Sequence, residues 1–243
     1  MDSELMIGPS TGWLYAMNIF SLARQKEILT KAGANVLEIN IGIDIDKRMA
    51  SLKKARFKDF AHSFLHFPDL KDRKVKQLVA IAKKAKIYYD FSVALIHPLK
   101  LVASYPEDDY KRIISNNIPL AIENMDSRKD SGFKLKELKK LLKITNLFVL
   151  DVQHAYEHDH QMIYAKDLLQ SFQKELVYLH VSGETSNNMH SLVHKSENAK
   201  TIIEFIGKVL CSKPVPLILE GEYRNSQELK TEIEFLFKEL KTA

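Results

Sequence analysis

Eight short apolar runs, rich in Val, Ile, Leu and Phe, recur along this chain at 5–10, 35–42, 63–67, 91–97, 118–124, 147–152, 176–182 and 216–222. Between them lie segments with helical periodicity. Ser21 opens SLARQKEILTKAG, with Gly33 as its stop. Further segments run over about 71–86, 105–116, 134–144, 161–174 and 197–210, a weaker one lies near 47–60, and Ser226 opens the last. Side-chain caps and a terminal glycine are the ordinary signals of helix ends. Pro119 and Pro216 stand at run starts, where a missing N–H costs a strand least. Eight strand–helix pairs in 243 residues is the arithmetic of a single (β/α)8 TIM barrel spanning 1–243. An open doubly wound sheet would carry a glycine-rich phosphate loop after its first strand, and none follows residue 10. No linker, motif-scale repeat or low-complexity segment divides the chain.

Metal-capable side chains recur at the ends of these runs: His66 in SFLHFPD, His97 in VALIHP, Glu123 in PLAIENM, Asp151 and His154 in LFVLDVQHAY, His180 in LVYLHVSG and Glu220 in PLILEGEY. Side chains at the carboxyl ends of barrel strands face the catalytic mouth, so a shared phase brings them to one place. Imidazoles and carboxylates are ligands for zinc, manganese or iron. Glu123 and Glu220 end runs that are otherwise apolar. A buried carboxylate without a partner costs several kcal/mol, which calls for a cation or strong donor nearby. Glu38 ends run two in the same phase, as a ligand, a base or a structural acid.

The polar loop 182–198 is the candidate flap over the mouth, and either His190 or His194 could fold back from it. His158 and His160 read as exposed loop residues, and His62 lies on the helical side of strand three, outside the site. Trp13 and Tyr15 form a substrate platform or cover the barrel end. Cys211, the single cysteine, reads as packing in FIGKVLC, which leaves no disulfide or thiolate cluster. A GxSxG elbow is absent, and two acids without a metal would leave the histidines unexplained.

The net charge of +5 comes from lysines interleaved with apolar residues at helical spacing, the pattern of solvated helix faces, and supports nucleic acid only weakly. No run approaches the roughly 20 apolar residues that span a bilayer. The acidic N-terminal stretch MDSEL lacks the basic start of a signal peptide, so the expected location is the cytoplasm, with no membrane partner.

Taken together, the motifs resemble the xylose isomerase-like barrel superfamily, which contains endonuclease IV-type hydrolases and sugar isomerases and epimerases. The resemblance covers all eight units, and LDVQHAY is similar to the family's Asp-x-x-His-Ala segment. For the DNA repair enzymes it implies a first metal on His66, His97 and Glu123. Glu123 then bridges to a second, completed by Asp151, His180 and Glu220. His154 would belong to a third metal, whose Asp-x-His pair reads Asn188-Met189-His190 here, without the Asp. His154 is then free to bind substrate. For the epimerases it implies one metal on Glu123, Asp151, His180 and Glu220, with Glu123 and Glu220 moving the proton. HVSGE and LILEGEY also echo multinuclear iron oxidase barrels that modify peptide cysteines.

The expectation is an enzyme with two divalent ions (zinc, manganese or iron), or three, acting on a small sugar-like or phosphoester substrate. The alternatives are a phosphodiesterase for abasic DNA, an iron oxidase and a non-catalytic ligand-binding barrel.

Overall fold

Successive side chains of a strand point to opposite faces, and here both faces are buried. The computed structural model of the chain describes residues 5–17, 19, 21–41, 60–70, 74–101 and 104–242. Its strands are β1 (Ile7–Pro9), β2 (Val36–Asn40), β3 (His62–His66), β4 (Val93–Ile96), β5 (Leu120–Glu123), β6 (Phe148–Asp151), β7 (Leu176–Val181), β8 (Gly183–Thr185), β9 (Asn188–Ser191) and β10 (Leu217–Leu219). Eight of them form one parallel sheet in the order β1-β10-β7-β6-β5-β4-β3-β2. A parallel bridge between Ser10 and Glu38 joins its two edges. The Thr11 amide also donates to the Glu38 carbonyl at 2.9 Å. The result is the (β/α)8 barrel expected from the alternating runs.

One side-chain phase fills the barrel with Val36, Phe64, Val93, Leu95, Ala121, Val149, Tyr178 and Ile218. The other phase packs outward against the helices. The seam between β1 and β2 is tight. A Cβ on Gly8 would lie 1.7 Å from the Val36 carbonyl oxygen, so only glycine fits. Asn35 completes the seam: its side chain accepts from the Ile7 amide at 2.8 Å and donates to the Leu5 carbonyl at 2.9 Å.

The described helices are α1 (Gly12–Ala16), α2 (Leu22–Lys31), α3 (Val75–Tyr88), α4 (Glu107–Ile114), α5 (Leu135–Thr145), α6 (Val152–His158), α7 (Ile163–Phe172), α8 (Ala199–Ser212) and α9 (Ser226–Thr242). As expected, Ser21 caps α2, and Gly33 beyond its end takes φ +84°. The weaker helix expected near 47–60 falls almost wholly outside the described residues. None of the described helices is long and apolar enough to cross a membrane.

Three readings are corrected. The segment HAYEHDHQ (154–161), expected as a loop after strand six, is helical as far as His158, in α6, whose first turn the Asp151 carboxylate caps by accepting from the His154 amide at 2.7 Å. His158, at its last turn, is therefore half-buried between Phe133 and Tyr164, while His160 is exposed as expected. Cys211 is exposed instead of packed. The buried stripe of α8 is Ile202, Phe205, Ile206 and Val209, and two residues past Val209 the helix has turned to solvent.

Candidate metal centre

The interior phase of each strand carries the site. Two residues beyond Phe64, Leu95, Ala121, Val149, Tyr178 and Ile218 stand His66, His97, Glu123, Asp151, His180 and Glu220. A period of two turns six apolar plugs into six polar groups at the mouth. Register corrects the placement of Glu38, which does not end β2. Asn40 pairs with His66, whereas Glu38 pairs with Phe64, so Glu38 belongs to the layer beneath the mouth.

Among the described residues three sets of candidate ligand atoms lie within 4.8 Å of one another, one of which includes the deeper Glu38, and two are drawn wholly from the mouth: Glu123, Asp151, His180 and Glu220, and His66, His97 and Glu123. Glu123 is common to both. In the first set, His180 Nδ1 is 2.8 Å from Glu123 Oε1 and 3.4 Å from Glu220 Oε2. In the second, His97 Nε2 is 3.6 Å from Glu123 Oε2. The His66 and His97 rings meet edge to face at 4.8 Å between centroids.

Each histidine is held by its far nitrogen. His66 Nδ1 donates to the Phe67 carbonyl at 2.9 Å, His97 Nδ1 to Asp69 at 2.8 Å and His154 Nδ1 to the Asn124 carbonyl at 3.0 Å. An acceptor on one ring nitrogen leaves the other's lone pair for a cation, the usual way a metal-binding imidazole is fixed. Asn124 also clamps the ends of β5 and β6. Its side chain accepts from the Asp151 amide at 2.8 Å and donates to the Asp151 carbonyl at 2.9 Å.

The electrostatics are those of a crowded acidic cluster. Burial would raise the Glu123 carboxyl, but His180, His97 and His154 hold it well below the ordinary range. Burial raises Glu220 to about 8, reinforced by Glu123, Glu38 and Asp151 against the pull of His180. Asp151 is likewise raised by burial. Burial opposes the charge on His180, yet Glu220, Glu123 and Glu38 hold its imidazolium well above the usual value. His66, with burial dominant, is lowered. Two carboxylate oxygens, Glu123 Oε2 and Asp151 Oδ2, are buried without a hydrogen-bond partner among the described residues. Buried polar atoms are normally satisfied, so both fit a cation as the missing partner.

Above the cluster opens a cavity of about 250 Å³, lined in part by Asn40, His66, His97, Glu123, His154 and Glu220. His190 reaches its wall from the β8–β9 hairpin, its Nδ1 3.2 Å from Ser182 Oγ. The other loop histidine, His194, turns away and binds Glu232 of α9 at 2.5 Å. His154 Nε2 points toward Asp126, 3.9 Å away, rather than into either ligand set. His62 is exposed at the start of β3, outside the site as expected. Trp13 braces the mouth, its indole N–H donating to the Glu220 carbonyl at 2.6 Å, whereas the Tyr15 side chain lies outside what the structure describes.

Asp69, Asn124, Asp126 and Arg128 escaped the sequence reading. Asp69 and Asp126 each follow a ligand-bearing run end by three residues, a signal visible in HFPD and ENMD. Arg128 Nε donates to Asp126 at 2.9 Å and its guanidinium lies 3.3 Å from Glu157, above the same cavity.

The chain shares its (β/α)8 barrel fold with solved structures of sugar epimerases. Over 98% of its length it superposes on a D-tagatose 3-epimerase-like protein (99% of that chain, TM-score 0.68, 17% identity). Similar structures are the 3-keto-D-glucoside 4-epimerase of E. coli (97% of this chain and 100% of that one, TM-score 0.67, 11% identity) and a putative xylose isomerase from Rhodospirillum rubrum (98% and 99%, TM-score 0.66, 12% identity). No family model and no curated protein matches the sequence itself.

Proposed function

We propose that the chain is a divalent-metal-dependent enzyme that isomerises or epimerises a small sugar-like carbonyl compound. One observation carries the reading: Glu123, Asp151, His180 and Glu220 converge on one point beneath a cavity of about 250 Å³. That volume suits a small polar molecule rather than a duplex. The fold neighbours include sugar epimerases, which agrees with it. A cation held by those four residues would polarise a substrate carbonyl and so acidify the adjoining C–H bond. Glu123 and Glu220 approach the same point from different strands. One carboxylate takes the proton from the carbon beside the carbonyl, and the other returns a proton to that carbon from the opposite face, which inverts it. His154 and Arg128 stand on the cavity wall, where the imidazole and the guanidinium can orient substrate hydroxyls.

The reading is tested by incubating Mn²⁺-loaded protein with a panel of ketoses in D₂O and following proton NMR. Deuterium entering the carbon beside the carbonyl, and loss of its inversion in Glu220→Gln, is the expected result. Exchange that is absent, or inversion that survives in Glu220→Gln, contradicts it.

A second reading has its own observation. The His66–His97–Glu123 set shares Glu123 with the first, as a two-cation phosphoester hydrolase with ions about 3.5–4 Å apart requires. Phosphoester cleavage without deuterium exchange would favour that reading.

A further inference from the structure

Glu38 is the one buried acid of the cluster that the proposed chemistry leaves without a role. It is fully buried, a layer below the mouth. Both of its oxygens are engaged: Oε1 accepts from Ser10 Oγ at 2.8 Å, and Oε2 accepts from Tyr178 Oη at 2.8 Å and from His180 Nε2 at 3.0 Å. Ser10 lies just past the end of β1 and Tyr178 lies on β7, so the carboxylate is fixed from two other strands before His180 meets it.

Glu38 is also within 4.8 Å of ligand atoms of His66 and Glu220, which would allow it a metal of its own. Three donors already occupy its oxygens, however, and they leave a single lone pair, on Oε1, for a cation. The pattern at the neighbouring histidines points the other way. His97 is oriented by a carboxylate on its far nitrogen, Asp69, and His66 and His154 by backbone carbonyls in the same position. Among the described residues no such carbonyl meets His180. Glu38 is the group on the side of its ring away from Glu123 and Glu220.

We infer that Glu38 is a positioning residue: held by Ser10 and Tyr178, it accepts the His180 Nε2–H and thereby commits Nδ1 to the cation site. The inference rests on the proposed metal centre for its consequence, while the hydrogen bond itself does not. A partner of this kind sets both ring orientation and ligand basicity, and its loss costs roughly 10–100-fold in metal affinity.

The test is Mn²⁺ binding to Glu38→Gln by calorimetry, paired with ¹⁵N-histidine NMR of the wild-type chain with and without Zn²⁺. The expected results are unchanged stoichiometry, affinity weakened by roughly 10–100-fold, and a slowly exchanging Nε2 proton on His180 in the wild type. Loss of one bound ion per chain would make Glu38 a ligand and overturn the inference, as would unchanged affinity. The wild-type spectrum decides the matter if Glu38→Gln does not fold: a Zn²⁺-loaded His180 protonated at Nδ1 overturns it. If the wild type binds no divalent ion, the metal reading fails instead. The Nε2 proton in the ion-free protein then carries the test, and its rapid exchange with solvent overturns the inference.

Discussion

Asp151 offers a perturbation in which two roles of one carboxylate separate. Its Oδ1 caps α6 through the His154 amide at 2.7 Å, while its Oδ2 is buried without a hydrogen-bond partner among the described residues and belongs to the proposed four-residue ligand set. Asp151→Asn keeps an oxygen for the cap and replaces the ligand oxygen with an amide that can donate toward Glu123. Burial raises the Asp151 carboxyl, so its ionised form opposes folding. The sign follows: that penalty is absent below the carboxyl's unfolded value near 3.8 and grows as pH rises toward the folded one. At pH 7.5 the ion-free variant should therefore be more stable than the wild type. Relieving an unsatisfied buried group is worth about 1–3 kcal/mol, or a Tm rise of roughly 2–10 °C for a chain of this size.

Metal affinity should move oppositely. Losing a charged ligand should cost at least about 100-fold, or about 2.8 kcal/mol. Asp151→Ala, which also loses the cap, should sit about 1 kcal/mol below Asp151→Asn in the ion-free state. The assays are calorimetric Mn²⁺ titration and thermal unfolding in a chelator. Unchanged Mn²⁺ affinity in Asp151→Asn would refute the ligand assignment, and an ion-free Tm below wild type would refute the electrostatic reasoning.

Other consequences are as direct. His66→Ala should reduce bound divalent ions from two per chain to one, by mass spectrometry of metal content; an unchanged count would remove the His66–His97–Glu123 site. The raised imidazolium of His180 must release its Nδ1 proton to a cation. Mn²⁺ affinity should therefore climb by up to about tenfold per pH unit from pH 6 to 8, and calorimetry in buffers of different ionisation enthalpy should show proton release. Flat affinity with no proton release would contradict this. Gly8→Ala places a Cβ 1.7 Å from a backbone oxygen that no rotamer can relieve. It should cost at least about 3 kcal/mol in urea unfolding, and a loss under 1 kcal/mol would mean the β1–β2 seam is looser than described.

How far the sequence disclosed this molecule depended on range. The strands were legible because burial on both faces writes a continuous apolar run, and the site because a period of two carries that run into a polar residue at the mouth. Glu38 obeys the same period, but register with β3 places it one layer lower, and register is set by pairing across 26 residues of sequence rather than by the run itself. The helix α6 was hidden because its cap, Asp151, is also the last residue of a strand. Short-range pattern does not show that one carboxylate serves both. Asn124, Asp69 and Arg128 were missed for a related reason: Asn124 acts on a backbone, Asp69 on a far nitrogen and Arg128 on the carboxylates of Asp126 and Glu157, and such roles leave no periodicity. The polar segment 182–198 carried loop composition, yet its second half is pinned to the barrel. Glu232 of α9 accepts from the Val193 and His194 amides, and the Glu222 amide donates to the His190 carbonyl at 2.7 Å.

The central claim is that Glu123, Asp151, His180 and Glu220 hold a divalent cation. An anomalous difference map from crystals of this protein soaked in Mn²⁺ tests it most directly. The account predicts a peak within coordination distance of all four residues, with His180 bound through Nδ1, and a second beside His66, His97 and Glu123. A saturated crystal with no peak at the four-residue cluster, or with Mn²⁺ bound only elsewhere, would contradict it.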